Sequence, residues 1–215
     1  MAVEQDDPTN DSSSSGGTLV RLDEVTERIS RQQIREMADI YRLAEDDLDD
    51  KKIIHPQMRD KRVLNVFRDI RTKLIQRANN QNFSLLVTSI CEGGGATFFT
   101  TNLAASFALD HGKTALIVDC NLYAPNTDYL IEGAEAGFSD FLEDPSLSLE
   151  EVIYATGVPR LRLIPAGRSA DIGPEYYTSY RMRQFVEELG DRYNDRYVFL
   201  DAPPIGSTAD ARILS

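Results

Sequence analysis

The spacing of apolar residues changes several times along the chain, and each change marks an element. Val63, Phe67, Ile70 and Leu74, with Leu64 and Ile75 alongside, form a stripe at helical spacing that predicts a helix to about residue 77. After Asn79-Asn80, the apolar run Phe83–Ser89 has the length of a strand. Three glycines follow at 93–95. Phe99, Leu103 and Phe107 then recur every four residues, as the buried face of a helix does, until His111-Gly112 stops it. Thr114–Asp119 reads as a second buried strand. Strand, glycine turn, helix and strand make a βαβ unit, which predicts a parallel sheet with helices on its faces.

Downstream, Ser148-Leu-Glu-Glu151 has capping-box spacing and predicts a short helix. Leu161–Pro165 reads as a strand, and Met182, Phe185, Val186, Leu189 and Tyr193 mark another helix. Arg196–Asp201 reads as a strand that ends in an acid and runs into Ala-Pro-Pro. Upstream, Val25, Ile29, Met37, Tyr41 and Leu48 predict one amphipathic helix. The acidic run Glu45–Asp50 would fray its C-terminus, where the helix dipole disfavours negative charge. The expected organisation is therefore a disordered acidic, Ser-rich leader over 1–20, an amphipathic helix and acidic linker over 21–58, and an α/β domain over 59–215. The linker is expected to be solvated, with a partner-docking patch as the alternative.

Composition narrows the function classes. Net charge is −12, which opposes binding to nucleic acid or to an anionic lipid surface. No stretch approaches the roughly 18–20 apolar residues of a membrane helix. Two cysteines, Cys91 and Cys120, are too few for a disulfide framework and are expected as reduced thiols rather than a redox pair. Two histidines, no HExxH and no CxxC argue against a protein-built zinc site. A cytoplasmic location is expected.

Candidate chemistry gathers at the predicted strand ends, where open α/β sheets bind ligands. Against the phosphate loop G-x-x-x-x-G-K-[ST], residues 90–97 read Ile-Cys-Glu-Gly-Gly-Gly-Ala-Thr. Gly95 and Thr97 match, whereas Ile90 stands for the first glycine and Ala96 for the lysine. Thr97 opens a helix directly after a strand, where free amides attract phosphate. Asp119 and Asp201 end two strands, as the acids that hold magnesium do in nucleotide hydrolases, although a strand-end acid also caps turns. Gly93, Gly94, Gly95 and Thr97 are the candidate nucleotide ligands, and Thr97, Asp119 and Asp201 the candidate magnesium ligands.

From roughly Arg59 to Ser215 the chain resembles the bacterial tyrosine kinases of exopolysaccharide and capsule synthesis, particularly the exosortase-associated tyrosine autokinases, with their ParA- and MinD-like P-loop ATPase fold. The segments that carry the resemblance are Phe67–Leu74, Leu86–Ser89, Thr97-Phe98 with Asn102–Ala104, Ala115–Asp119 with Pro125, Val158–Gly167 and Tyr197–Pro204. The resemblance implies a doubly wound, mostly parallel sheet and Mg-ATP or Mg-ADP as ligand. It also implies autophosphorylation on a C-terminal tyrosine cluster, homo-oligomers and control of chain length with a membrane polysaccharide co-polymerase, which would recruit the protein to the inner membrane. It assigns Gly95 and Thr97 to the Walker A loop, Asp119 to Walker A′ and Asp201 to Walker B.

The departures fall on the chemistry. Ala96 stands for the lysine that reaches the β- and γ-phosphates, Asn121 for the second A′ acid, and Tyr123 and Ala124 for the basic residues after it. Glu92 adds an anion to the loop, and the E-x-x-R-x-x-R oligomerisation motif is present as Asn65, Arg68 and Arg71 without its acid. The arginines are read either as intersubunit contacts or as a solvated helix face. Lys113 lies at the far end of the loop helix and is a poor substitute for the missing lysine. Tyr176, Tyr177 and Tyr180 are read as packing or surface residues ahead of phosphoacceptors. Two functions follow: a degenerate kinase-like regulatory module acting through partners with weak or no ATP hydrolysis, which Ala96 and Asn121 favour, or an active tyrosine autokinase with a deviant loop. A Rossmann-type sugar-nucleotide enzyme is disfavoured because Gly93–Gly95 does not fit G-x-G-x-x-G.

Overall fold

The computed structural model describes residues 42–168, 173–192 and 196–215. The expected leader and the first two-thirds of the helix predicted over 25–48 lie outside the described residues. In chain order the elements are α1 (Glu45–Asp50), α2 (Lys61–Arg77), β1 (Ser84–Val87), α3 (Ala96–Ala108), β2 (Thr114–Asp119), α4 (Phe138–Glu143), β3 (Tyr154–Ala155), β4 (Leu161–Ile164), α5 (Tyr180–Arg192), β5 (Arg196–Asp201) and α6 (Asp210–Ile213). The sheet order is β1-β5-β2-β4-β3. The first four strands in that order run parallel, and β3 pairs antiparallel to β4 at the edge. The fold is the doubly wound, mostly parallel α/β sheet that the sequence predicts.

Both faces of the sheet are covered, and the two-residue period of a strand divides its side chains between them. Ala115, Ile117, Tyr197 and Phe199 enter the core under α2 and α3. Leu116, Val118, Val198 and Ile164 enter the opposite core, with Phe138 and Phe141 of α4 and Met182 and Phe185 of α5. α3 lies between the sheet and α2, so every residue from Thr100 to Ala108 is buried, not only the predicted stripe. Its Phe107 anchors an aromatic cluster with Phe83, Tyr197 and Phe199, at centroid distances of 5.7, 4.6 and 5.2 Å.

The predicted stripe on α2 faces the core except at its first residue. Leu64 and Phe67 are buried, Ile70, Leu74 and Ile75 pack at the margin, and Val63 is exposed. The capping box at Ser148 forms, with Ser148 N donating to Glu151 Oε2 at 2.7 Å, but it starts a 3-10 turn over Leu149–Val152. Val186, predicted on the buried face of α5, is 57% exposed. β3 lacks any signature in the sequence, being only two residues long.

The acidic run Glu45–Asp50 requires a correction. It does not fray a helix end; it forms α1, with Glu45, Asp46 and Asp47 in the first turn, where the dipole favours them. Nor is the segment after it a solvated linker. Leu48, Ile53 and Ile54 are buried in the core beside α3, and Ile54 N donates to Asn102 Oδ1 at 2.8 Å. Asn102 also donates to Lys52 O and Phe98 O, so one buried amide ties this strap to α3. Among the described residues, no helix is long and apolar enough to cross a membrane.

Candidate functional site

Where β1 ends, the chain turns through residues 88–95 before α3. Thr88 Oγ1 donates to Pro203 O (2.7 Å) and Ile205 N to Ser89 O (2.9 Å), stitching this loop to the segment that leaves β5. Gly95 is the N-cap of α3 in the left-handed region, at φ 83°, and supplies no side-chain cap. The first-turn amides therefore meet no capping side chain, which leaves them available to an anion. Gly94 is required for space: a Cβ there would lie 2.6 Å from Ser89 Cβ and 2.9 Å from Cys91 O.

The loop forms one wall of a cleft of about 350 Å³, lined also by Asn121, Tyr123 and Asn126 after β2 and by Pro203, Ser207 and Thr208 after β5. Gly93, Gly94, Gly95 and Thr97 all line it, as does Ala96. Glu92 is the only charged residue among the described residues that line the cleft, and none is Lys or Arg.

Asp201 ends β5 beneath the loop. β5 lies between β1 and β2, with Asp201 in register with Val87 on one side and Asp119 on the other. Asp201 is 1% exposed. Its Oδ1 accepts a hydrogen bond from Thr100 Oγ1 at 3.1 Å, while Oδ2 is buried without a hydrogen-bond partner. Burial raises its pKa above the usual carboxylate range, and the hydroxyls of Thr97 and Thr100 oppose that rise.

Asp119 has a different environment. Its Oδ1 accepts from Asn121 N (2.9 Å), and its Oδ2 from Thr127 Oγ1 (2.7 Å) and Asn126 N (3.3 Å). Burial is the largest influence and pushes its pKa to about 7; the Thr127 hydroxyl opposes the rise and the neighbouring Asp201 adds to it. Both its oxygens are therefore engaged in holding the 121–127 loop, whereas Asp201 keeps an open valence.

Several chemically relevant residues had no place in the sequence reading. Thr100 could have been found, because it lies one helical turn after Thr97 on the same helix. Thr127 carries no local signal. Across the cleft mouth, the Tyr123 hydroxyl interacts with the carboxyl of Asp210, which is buried at the start of α6; burial raises the pKa of both groups. Thr208 Oγ1 and Asp210 Oδ1 are buried without hydrogen-bond partners, like Asp201 Oδ2.

Other candidates are separated from the cleft. Lys113 Nζ donates to Asn82 Oδ1 at 2.9 Å and sits over the Tyr197 ring, beyond the C-terminal end of α3. The Tyr177 hydroxyl is buried and donates to Cys120 O (2.9 Å), Tyr176 Oη donates to Glu143 Oε1 (3.2 Å), and Tyr180 is 70% exposed. Arg71 donates to Ser106 O on α3, so its side chain braces the two helices instead of forming a solvated face. Cys91 is exposed in the loop, and Cys120 is buried, with its thiol pKa raised by burial.

A parallel sheet with a glycine loop between β1 and α3, and carboxylates ending β5 and β2 beside it, defines the P-loop ATPase class of fold. No family model matches the chain. The chain is 29% identical over 166 residues to the tyrosine-protein kinase CpsD of Streptococcus agalactiae, covering 76% of this chain and 71% of that protein. It is 31% identical over 151 residues to the tyrosine-protein kinase YwqD of Bacillus subtilis, covering 69% and 62%. Among solved structures, the VpsO kinase domain superposes with a TM-score of 0.59 at 26% identity, covering 72% of this chain and 77% of that one. The chain is a homologue of the bacterial tyrosine-protein kinases and shares their P-loop ATPase fold.

Proposed function

We propose that the chain is a kinase-like regulatory module of exopolysaccharide or capsule synthesis, one that binds Mg-nucleotide weakly and acts through protein partners rather than by efficient phosphoryl transfer. The observation that carries the proposal is the composition of the cleft. It keeps the glycine loop, the uncapped helix amides, the Thr97 hydroxyl and the open Asp201 carboxylate, but holds no lysine or arginine among its described lining residues. Phosphoryl transfer depends on positive charge that neutralises the transferring group. With Ala96 in the lysine's place, that charge is missing, and Glu92 adds an opposing one.

The residues present fit a magnesium-nucleotide. A buried carboxylate oxygen without a partner, close to a helix-opening threonine hydroxyl, has the character of a magnesium site. Asp201 and Thr97 would hold the ion directly or through water, and the amides of residues 93–97 would take the phosphates. Magnesium, when bound, supplies charge neutralisation at the phosphates. Asp119 fixes the far wall of the cleft through Asn121, Asn126 and Thr127.

On the resemblance to the exopolysaccharide and capsule tyrosine kinases, the proposed partner is a membrane co-polymerase that sets chain length, and the proposed module is cytoplasmic and recruited to the membrane by it. The open Asp201 Oδ2 also favours a second reading, an active autokinase with a deviant loop. Melting with and without millimolar Mg-ATP and Mg-ADP tests nucleotide binding: ligand at 100 times its Kd stabilises by about 2.7 kcal/mol, and Asp201→Asn is expected to abolish the shift. Incubation with γ-labelled ATP separates the two readings. Label on tyrosine at a rate comparable to that of CpsD under the same conditions would establish the autokinase.

A further inference from the structure

We propose a second ligand site, at the end of the sheet opposite the glycine loop, that takes a small phosphate monoester carrying an apolar group. It is independent of nucleotide binding at the glycine loop. The site is a cavity of about 510 Å³ between α5 and the N-terminal ends of β1 and β5, within the range of about 300–1,000 Å³ usual for small-molecule pockets. The two-residue period of the strands explains why it opens there. Val198 and Leu116 enter the core beneath α5, so Arg196 and Thr114, two residues earlier on β5 and β2, lie on the same face. Ser84 of β1 stands in register with Val198. Among the described residues, however, none from β1 joins that core. α5 therefore covers β5 and β2 and leaves the start of β1 open. Val186 of α5 borders this opening and is 57% exposed, although its spacing predicts burial. A Cβ on the neighbouring Gly190 would meet nothing within 4 Å.

The lining divides into two chemistries. Val186, Leu189 and Val198 form an apolar wall. Asn80, Asn82, Ser84, Lys113 and Arg196 form a polar one. Lys113 and Arg196 are the only charged residues among the described residues that line the cavity, and both are cations, in a chain of net charge −12. Neutral groups position Lys113: its Nζ donates to Asn82 Oδ1 at 2.9 Å and lies 5.7 Å from the centre of the Tyr197 ring, so its charge stays available to a ligand. Arg196 is 5% exposed, and its Nε donates to Thr114 Oγ1 at 3.4 Å, which holds the guanidinium against the start of β2. Two cations in a partly enclosed site match a dianion better than a monoanion, because charges attract more strongly where water is partly excluded. A phosphate monoester carries close to two negative charges above pH 7. The apolar wall receives the group esterified to it. The cleft at the glycine loop has the opposite sign, with Glu92 as its only described charged lining residue.

The test is proton–nitrogen correlation NMR of the labelled full chain, titrated with phenyl phosphate at pH 7.5 and constant ionic strength. Inorganic phosphate, benzoate and phenol serve as comparators. Expected is a saturable shift of the amides of Asn82, Ser84, Lys113 and Gly190, with a Kd for phenyl phosphate about 10-fold or more tighter than for any comparator. Lys113→Gln removes one of the two charges and should weaken binding by about 10-fold, whereas Lys113→Arg should stay within a few-fold. Val186→Glu, at an exposed position, brings an acid to the cavity and should also weaken binding by about 10-fold. The unshifted remainder of each variant's spectrum reports that it is folded. No saturable shift at these amides up to 20 mM phenyl phosphate would overturn the proposal, and so would shifts confined to Gly93–Thr97. Benzoate or inorganic phosphate binding as tightly as phenyl phosphate would refute the ligand class. Binding that neither Lys113→Gln nor Val186→Glu weakens would refute the assignment to this cavity.

Discussion

Replacing Asp201 with Asn should stabilise the protein while removing its response to Mg-nucleotide. The carboxylate is 1% exposed, accepts one hydrogen bond from Thr100 at 3.1 Å, and has a second buried oxygen without a partner. Its charge is also opposed by Asp119 in register on β2. In the Asp201→Asn variant the amide oxygen still accepts from Thr100, the shape is kept and the uncompensated buried charge is gone. Relief of such a charge, less the cost of an amide group that is itself unpaired, is worth about 1–2 kcal/mol. For a domain of this size that is a rise in Tm of roughly 2–8 °C.

The assay is urea unfolding of wild type and variant from pH 4 to pH 8. A carboxyl whose folded pKa is raised binds more protons folded than unfolded, so wild-type stability falls as pH rises through the interval from its unfolded value to its folded one. The advantage of the variant should therefore be full at pH 8 and vanish towards pH 4. A variant less stable than wild type by 1 kcal/mol or more at pH 8 would refute the reasoning, since Asp201 would then be a structural acceptor like Asp119. So would an advantage that does not change with pH.

Asp119 has a folded pKa near 7 against an ordinary value of 3.8, so its ionisation should cost up to about 4 kcal/mol between those limits, lost as pH rises and visible in the same wild-type urea curves. Asp201→Asn removes one cause of that rise, and NMR of a labelled Asp119 carboxyl should report a lower pKa in the variant. Gly94→Ala should drive a methyl group into Ser89 and Cys91 O, destabilise the protein by about 1–3 kcal/mol and abolish the nucleotide-dependent shift in melting temperature. Phe107→Ala removes a fully buried ring from contact with three aromatic neighbours and should cost about 3–5 kcal/mol in urea unfolding. Asn102→Ala leaves Ile54 N unpaired, should cost about 1–3 kcal/mol, and should speed proteolysis between residues 45 and 58 while the rest of the domain stays folded.

The chain alone determined the class of fold. Thr114–Asp119 and Arg196–Asp201 are short, strongly apolar runs, and 99-103-107 is a helix period; such local patterns survive because they are set by which residues must leave water. Glycine spacing likewise marked the loop, because only Gly94 leaves room for the turn and only a left-handed residue starts α3 as Gly95 does. The absence of a lysine at position 96 needed no coordinates at all.

Tertiary structure decided the order of the strands and, through it, the unequal roles of the two acids. No local pattern says that β5 inserts between β1 and β2, because strand order depends on long-range pairing among parallel strands of similar apolar character. That insertion puts Asp201 beneath the glycine loop and Asp119 one strand away. The sequence presents the two as equivalent strand-end acids. Their surroundings separate them: the loop two to eight residues downstream engages both oxygens of Asp119, whereas Asp201 meets the Thr97 and Thr100 hydroxyls of α3, about a hundred residues away in the chain, and keeps Oδ2 unpartnered. The same long-range packing buries Ile53 and Ile54 under α3, because an acidic neighbourhood does not prevent two adjacent isoleucines from reaching a core when a buried asparagine meets their backbone.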